Sequence, residues 1–164
     1  MRPLIPTIDY TQIPRPFSMS IPDKFRDEMG HMNVTWYTHL FSEAMGGLMT
    51  HLGLTLEYIE REKIGGVALE AHIQYLAEVH IGDEVSVYSR VISRSDKRMH
   101  LLHILHNDTR QEESATYECI LACFDLRSRR MSTIPNEIRD KIDAVASQHR
   151  NLDWTAPLCG VMAP

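Results

Sequence analysis

Cysteine is scarce in these 164 residues: there are three, an odd number without zinc-ligand spacing. Cys119 and Cys123, placed on one strand, would lie about 13 Å apart at 3.3 Å per residue and could not bridge. A disulfide framework is thereby excluded, and a reduced, cytoplasmic protein is expected. No apolar run approaches the ~20 residues that span a bilayer, and the N-terminus carries no signal-peptide core, so no membrane partner is expected. Positive charge is not in excess either. A formal net charge of −5 argues against a nucleic-acid partner, which calls for a basic face. A G-x-S-x-G elbow is missing, and the glycine pairs at 46–47 and 65–66 lack the spacing of a phosphate loop. Repeats and low-complexity segments are absent. What remains has the 43% hydrophobic and 24% charged content of an ordinary globular domain, long enough to bury roughly 70% of its unfolded surface.

The chain is organised around Pro22 to Gly53, where a charged turn, a Gly-His pair and an asparagine precede a long apolar segment. Asn33 suits a helix N-cap, because its side-chain oxygen can accept from a free N–H of the first turn. Trp36, Leu40, Ala44 and Leu48 recur every four residues, with Tyr37, Phe41, Met45 and Leu52 beside them. So wide a stripe predicts a helix buried on most sides. Gly46-Gly47 inside it costs about 1 kcal/mol per glycine, which close approach of another backbone would offset. The polar loop at the helix N-terminus is a ready site for developing negative charge.

Around this segment the periodicity predicts strands. Residues 1–15 hold Pro3, Pro6 and Pro14 and read as an extended arm, residues 16–148 as the folded domain, and 149–164 as a tail that Trp154 could anchor. A first strand runs over Pro16–Ile21, and Gly53 stops the central helix. Leu56–Glu62 reads as a short helix or turn. After Gly65-Gly66 comes a strand with Val67, Leu69, Ala71, Ile73 and Tyr75 on one face and Glu70, His72 and Gln74 on the other. Further strands are predicted over Glu84–Ser93, Lys97–His106 and Ala115–Leu126, and an amphipathic helix over Pro135–Ser147. The class is α+β with an antiparallel sheet.

Asp27-Glu28-Met29-Gly30-His31-Met32-Asn33, followed by Tyr37, resembles the D-x-x-G-H-x-N…Y signature of hotdog-fold acyl-CoA thioesterases of the 4-hydroxybenzoyl-CoA thioesterase type. Where the family often carries a second asparagine, this chain has Val34. The stretch Glu70 to Val79, then Gly82-Asp83, then Asp96 to His100, is similar to thioesterase modules associated with carnitine dehydrogenase, which are assigned to betainyl-CoA hydrolysis. The resemblance covers roughly Ile21 to Pro135. It implies a five-stranded antiparallel sheet wrapped around the central helix, with a C-terminal helix behind. It also implies an acyl-CoA substrate, no cofactor beyond the substrate's own CoA, and a homodimer or homotetramer with sites between subunits.

Thioester hydrolysis needs a group that attacks the carbonyl or activates water, and a carboxylate does either. The resemblance places that group at Asp27. Gly30 and His31 would lend backbone N–H groups to the thioester oxygen, Asn33 would cap the helix and face substrate, and Tyr37 would line the pocket. Trp36, Tyr37 and Tyr75 are candidates for an aromatic face against a quaternary ammonium group, with Glu43 and Glu70 to supply negative charge, while Glu70 and His72 together fit a subunit contact or the rim of the acyl pocket. Lys97 and Arg98 belong to basic clusters suited to CoA phosphates. His100, His103 and His106 suggest a metal, but on a strand His103 points away from the others, which lie ~20 Å apart, so no metal is expected. Two rivals remain: a hotdog hydratase or dehydratase, and a non-catalytic acyl-CoA-binding protein.

Overall fold

A computed structural model describes residues 8–164. In chain order they form β1 (Phe17–Ser20), α1 (Val34–His51), α2 (Leu56–Glu62), β2 (Ile64–Tyr75), β3 (Glu84–Arg94), β4 (Arg98–Asn107), β5 (Glu112–Asp125), β6 (Arg130–Met131) and α3 (Asn136–Arg150). The strands make one antiparallel sheet in the order β1-β3-β4-β5-β2, and the two-residue β6 adds to β5. This is the hotdog arrangement expected, with one short strand more.

Two cores lie on the inner face, where the sheet curls around α1. Tyr37, Leu40, Phe41 and Ala44 pack on Val85, Val87, Leu105 and Ala115. Leu48, Met49 and Leu52 meet Val91, Met99, Leu101 and Leu121, with Ile138, Ile142 and Ala146 of α3 closing that end. On the outer face a third cluster joins Ile8 and Ile13 to Leu102, Ile104 and Trp154. Arg90 lies 4.2 Å from the Trp154 ring centre and donates to the Trp154 and His149 carbonyls. Residues 1–7 of the expected arm lie outside the described residues; residues 8–15 contain a 3-10 turn at Tyr10–Gln12.

Three expectations are corrected. First, α1 is not buried on most sides: Thr38, Ser42, Glu43, Gly46 and Thr50 form an exposed face. Second, the two helix glycines differ. A Cβ on Gly47 would lie 2.6 Å from the Pro16 carbonyl oxygen, whereas one on Gly46 meets nothing within 4 Å. Third, β2 carries a bulge at Leu69, where its register on β5 shifts between Ala68 and Glu70. The extra residue resets the alternation. Gly66 and Ala68 face inward before it and Ala71, Ile73 and Tyr75 after it, so Val67 belongs to the outer face rather than with Ile73. A period of two drawn straight through cannot reveal such a step.

Candidate active site

The loop before α1 closes on itself. Asp27 N–H donates to the His31 carbonyl at 2.9 Å and Gly30 N–H to the Asp27 carbonyl at 3.3 Å, while Arg26 bridges to Met32 and His31 to His80. Gly30 sits at φ +95°, a left-handed conformation that strains any residue with a Cβ. Asn33 caps α1 as predicted, accepting from Thr35 N–H at 3.0 Å. Met32 N–H donates to the Val79 carbonyl at 2.8 Å, which fastens the loop to the segment after β2.

Asp27 is largely shielded and sits at the floor of the loop. Its Oδ1 accepts from Met29 N–H at 2.8 Å and from His31 N–H at 3.3 Å, and its Oδ2 lies 3.0 Å from His31 Nδ1. Partial burial pushes its carboxyl pKa up, but the Met29 and His31 amides, the His31 ring and the Gly30 amide outweigh burial and hold it below the usual carboxylate value. Asp27 is therefore ionised at neutral pH, suited to accept a proton or to attack, and unsuited to act as an acid.

A groove of about 360 Å³ opens over this carboxylate, lined by Asp27, His31, Asn33, Val34, Tyr37, Tyr75 and Glu78 among others. Tyr37 and Tyr75 meet edge to face, their ring centres 5.1 Å apart at 84°. Burial raises the Tyr37 phenol pKa. Glu78, absent from the sequence prediction, faces His31 Nε2 at 3.9 Å. Val34, also absent from the sequence prediction, lines the groove, and its N–H stands at the first helical position, where the helix supplies no acceptor.

Other predicted residues fall elsewhere. The Gly30 and His31 amides turn into the loop, toward the Asp27 carbonyl and carboxylate, and not outward as oxyanion donors. Trp36 stacks on Phe25 with ring centres 3.8 Å apart, outside the groove. Glu43 stands on the exposed face of α1, at the rim of a second cavity of about 430 Å³ between α1 and β2. Glu70 and His72 lie on the outer face of β2, beyond the sheet from α1. Lys97 and Arg98 sit at the wrong end for the groove within one chain. Tyr75 pairs with Ala115 and Arg98 with Ala122, so seven residues of β5, about 23 Å, separate the two. Of the other basic residues, Arg94 is held by Asp143 at 2.6 Å and Arg127 by the Glu62 carbonyl at 2.9 Å.

Residues 23–142 match the thioesterase-like superfamily. The chain belongs to that family. It is a thioesterase, as the resemblance implied. The chain is 27% identical over 142 residues to the betainyl-CoA thioesterase of Pseudomonas aeruginosa, covering 87% of this chain and 89% of that one. It is 30% identical over 122 residues to the L-carnitine dehydrogenase/betainyl-CoA thioesterase of Agrobacterium fabrum, covering 74% of this chain but only 25% of that longer protein. In fold, a Staphylococcus aureus protein solved in complex with CoA superposes with a TM-score of 0.82 at 22% identity, over 93% of this chain and 96% of that one.

Proposed function

We propose that the groove over Asp27 is where this thioesterase hydrolyses an acyl-CoA thioester, with betainyl-CoA as the preferred acyl donor. The observation that carries this reading is the ionised Asp27 carboxylate at the floor of an aromatic-sided groove, beside the free first amide of α1. The thioester carbonyl would lie against the Val34 N–H, where the positive end of α1 stabilises the developing oxyanion. Asp27 activates a water or adds to the carbonyl itself, and the C–S bond breaks as the tetrahedral species collapses. In the second route water then cleaves the anhydride left on Asp27, releasing the free acid and restoring the carboxylate. CoA leaves as a thiolate, whose parent thiol has a pKa near 8.5 in the cysteine model, so no strong acid is required and no cofactor enters the chemistry. His31, against Asp27 Oδ2, fixes the carboxylate's orientation.

The preference for a quaternary ammonium acyl group rests on Tyr37, Tyr75 and Glu78. Two phenol rings and a carboxylate around the groove are chemistry that accepts a trimethylammonium group, an aromatic face being worth ~0.5–2 kcal/mol to such a cation. A place in carnitine metabolism follows from the same reading. A cytoplasmic location fits its three unpaired cysteines, and no helix among the described residues is long and apolar enough to cross a membrane.

The test is a panel of acyl-CoAs read by free-thiol release, including betainyl-CoA and its neutral isostere 3,3-dimethylbutyryl-CoA, with wild type and Tyr75→Leu. Betainyl-CoA should be favoured roughly three- to thirtyfold in kcat/KM, and the variant should lose mainly that preference. Equal kcat/KM for the two in wild type would refute the cationic preference; no thiol release from any acyl-CoA would refute the groove as a hydrolytic site.

We further propose that the active assembly is a dimer or larger. β2 is the last strand of the sheet, twelve residues long, and exposes Val67 (38%), Leu69 (48%) and Tyr75 (52%) along an edge with no strand on its far side among the described residues. Such an edge invites pairing with another copy, and pairing would bring a partner's basic residues within reach of the CoA phosphates.

A further inference from the structure

The outer face of the sheet, on the side away from α1, gathers a second group of reactive side chains that hydrolysis does not use. His72 of β2 stands opposite Glu118 of β5. Leu102 of β4 faces Glu118 from the other side, so His100, two residues earlier, shares that face. Cys159 reaches the same spot from the segment after α3. One ligating atom from each of His72, Glu118 and Cys159 lies within 4.8 Å of the other two.

Glu118 is the centre of the group. Its side chain is only 2% exposed. Its Oε1 lies 2.7 Å from His100 Nε2, and its Oε2 accepts from Cys159 N–H at 2.6 Å. A carboxylate in so dry a place needs hydrogen-bond partners, and His100 and the Cys159 N–H supply them. Beside them an imidazole and a thiol converge on the same carboxylate from two further elements.

We propose that His72, Glu118 and Cys159 bind a divalent cation of the zinc class, which pins the C-terminal segment to β2 and β5. One imidazole nitrogen, one carboxylate oxygen and one thiolate sulfur are donors that zinc takes together, with water in the fourth place. The thiolate selects against magnesium and calcium, which take oxygen ligands. Bonds of about 2.0–2.3 Å would hold the ligand atoms roughly 3.3–4 Å apart, so closure needs a movement of about an ångström. His72 and Cys159 are only half-buried and free to make it. His100 orients the Glu118 carboxylate, as hydrogen-bond partners of metal ligands do. On binding, the Cys159 thiol gives its proton to solvent.

The experiment uses untagged, reduced full-length protein titrated with Co²⁺, then Zn²⁺. One equivalent of Co²⁺ should produce thiolate-to-metal charge-transfer absorption in the near-ultraviolet, and Zn²⁺ should displace it and raise the melting temperature. Cys159→Ser, which keeps the backbone N–H to Glu118, should abolish the absorption while melting like wild type in chelator. His72→Ala should lose the one-equivalent binding, and His100→Gln should weaken it ~10–100-fold. Asp27→Asn should bind as wild type does, which separates this site from the hydrolytic groove. Absence of the charge-transfer band in wild type at stoichiometric Co²⁺, or its persistence in Cys159→Ser, would overturn the proposal.

Discussion

Asp27 does two jobs with one carboxylate. Oδ1 collects the Met29 and His31 amides and so shapes the loop, while Oδ2 faces His31 at the groove. Asparagine keeps an oxygen for the amides but can neither take a proton nor attack. Asp27→Asn should therefore fold normally and lose at least ~10²-fold in kcat; circular dichroism with steady-state kinetics would show both, and turnover like wild type would sink the assignment. Because its amide partners hold Asp27 below the usual carboxylate range, the acid limb that it imposes on kcat/KM should fall below about pH 4. A limb near neutrality would show that Asp27 is not the base. At this scale the sequence was a partial guide. Asp27, His31, Asn33 and Tyr37 were legible because a single loop and its helix carry them. Val34 and Glu78 were not: a backbone donor has no side-chain signature, and Glu78 reaches His31 only through the bridge to His80. Trp36 was misplaced, because a helical stripe does not say which of its aromatics turns to a neighbour such as Phe25.

Among the elements, α1 offers the sharpest contrast. A Cβ at position 47 would collide with the Pro16 backbone at the entry to β1, at 2.6 Å, while one at position 46 enters open space. Gly47→Ala should cost ~1–3 kcal/mol of stability through overpacking, less the gain in helix propensity. Gly46→Ala should be neutral or stabilising by up to about 1 kcal/mol. Urea melts of the two variants side by side would check this, and equal destabilisation would show that the exposed face of α1 is covered in solution. Strand and helix positions were largely readable from periodicity, including the limits of α2. α3 runs three residues beyond its predicted end because His149 is buried there and accepts from Val91 N–H at 2.9 Å, a tertiary contact that no local pattern encodes.

For the whole molecule, two buried histidines set the response to acid. Burial holds His103 at about 4, and burial with the nearby Arg90 charge holds His149 at about 4, against 6.5 for the free side chain. Both folded values are depressed, so between pH 6.5 and 4 the unfolded chain binds more protons than the folded one. The stability from their neutral forms is fully present above pH 6.5 and is lost as pH falls toward 4, on the order of 3 kcal/mol for each. Urea unfolding at pH 7, 6 and 5 should show this decline, and His103→Gln should reduce the slope by about one proton; an unchanged slope would mean that His103 titrates normally. Assembly is tested at the open edge of β2. Leu69→Lys, at the bulge, should sediment as a monomer if wild type sediments as a dimer or larger.

That bulge also bears on how the chain tolerates insertion and deletion. It acts as a frameshift in the in–out alternation of β2, and Leu69 is the residue that absorbs it. Ala68 and Glu70 already face Leu121 and Ile120, consecutive residues of β5, so removing Leu69 would leave an uninterrupted strand with both halves the right way up. Ile73 is packed beside Tyr117 and Phe41, so the half after the bulge is the anchored one. Deleting His72 instead would turn the Glu70 carboxylate toward α1. A one-residue deletion at Leu69 should thus be far milder than one at His72, and urea melts of the two variants would check this.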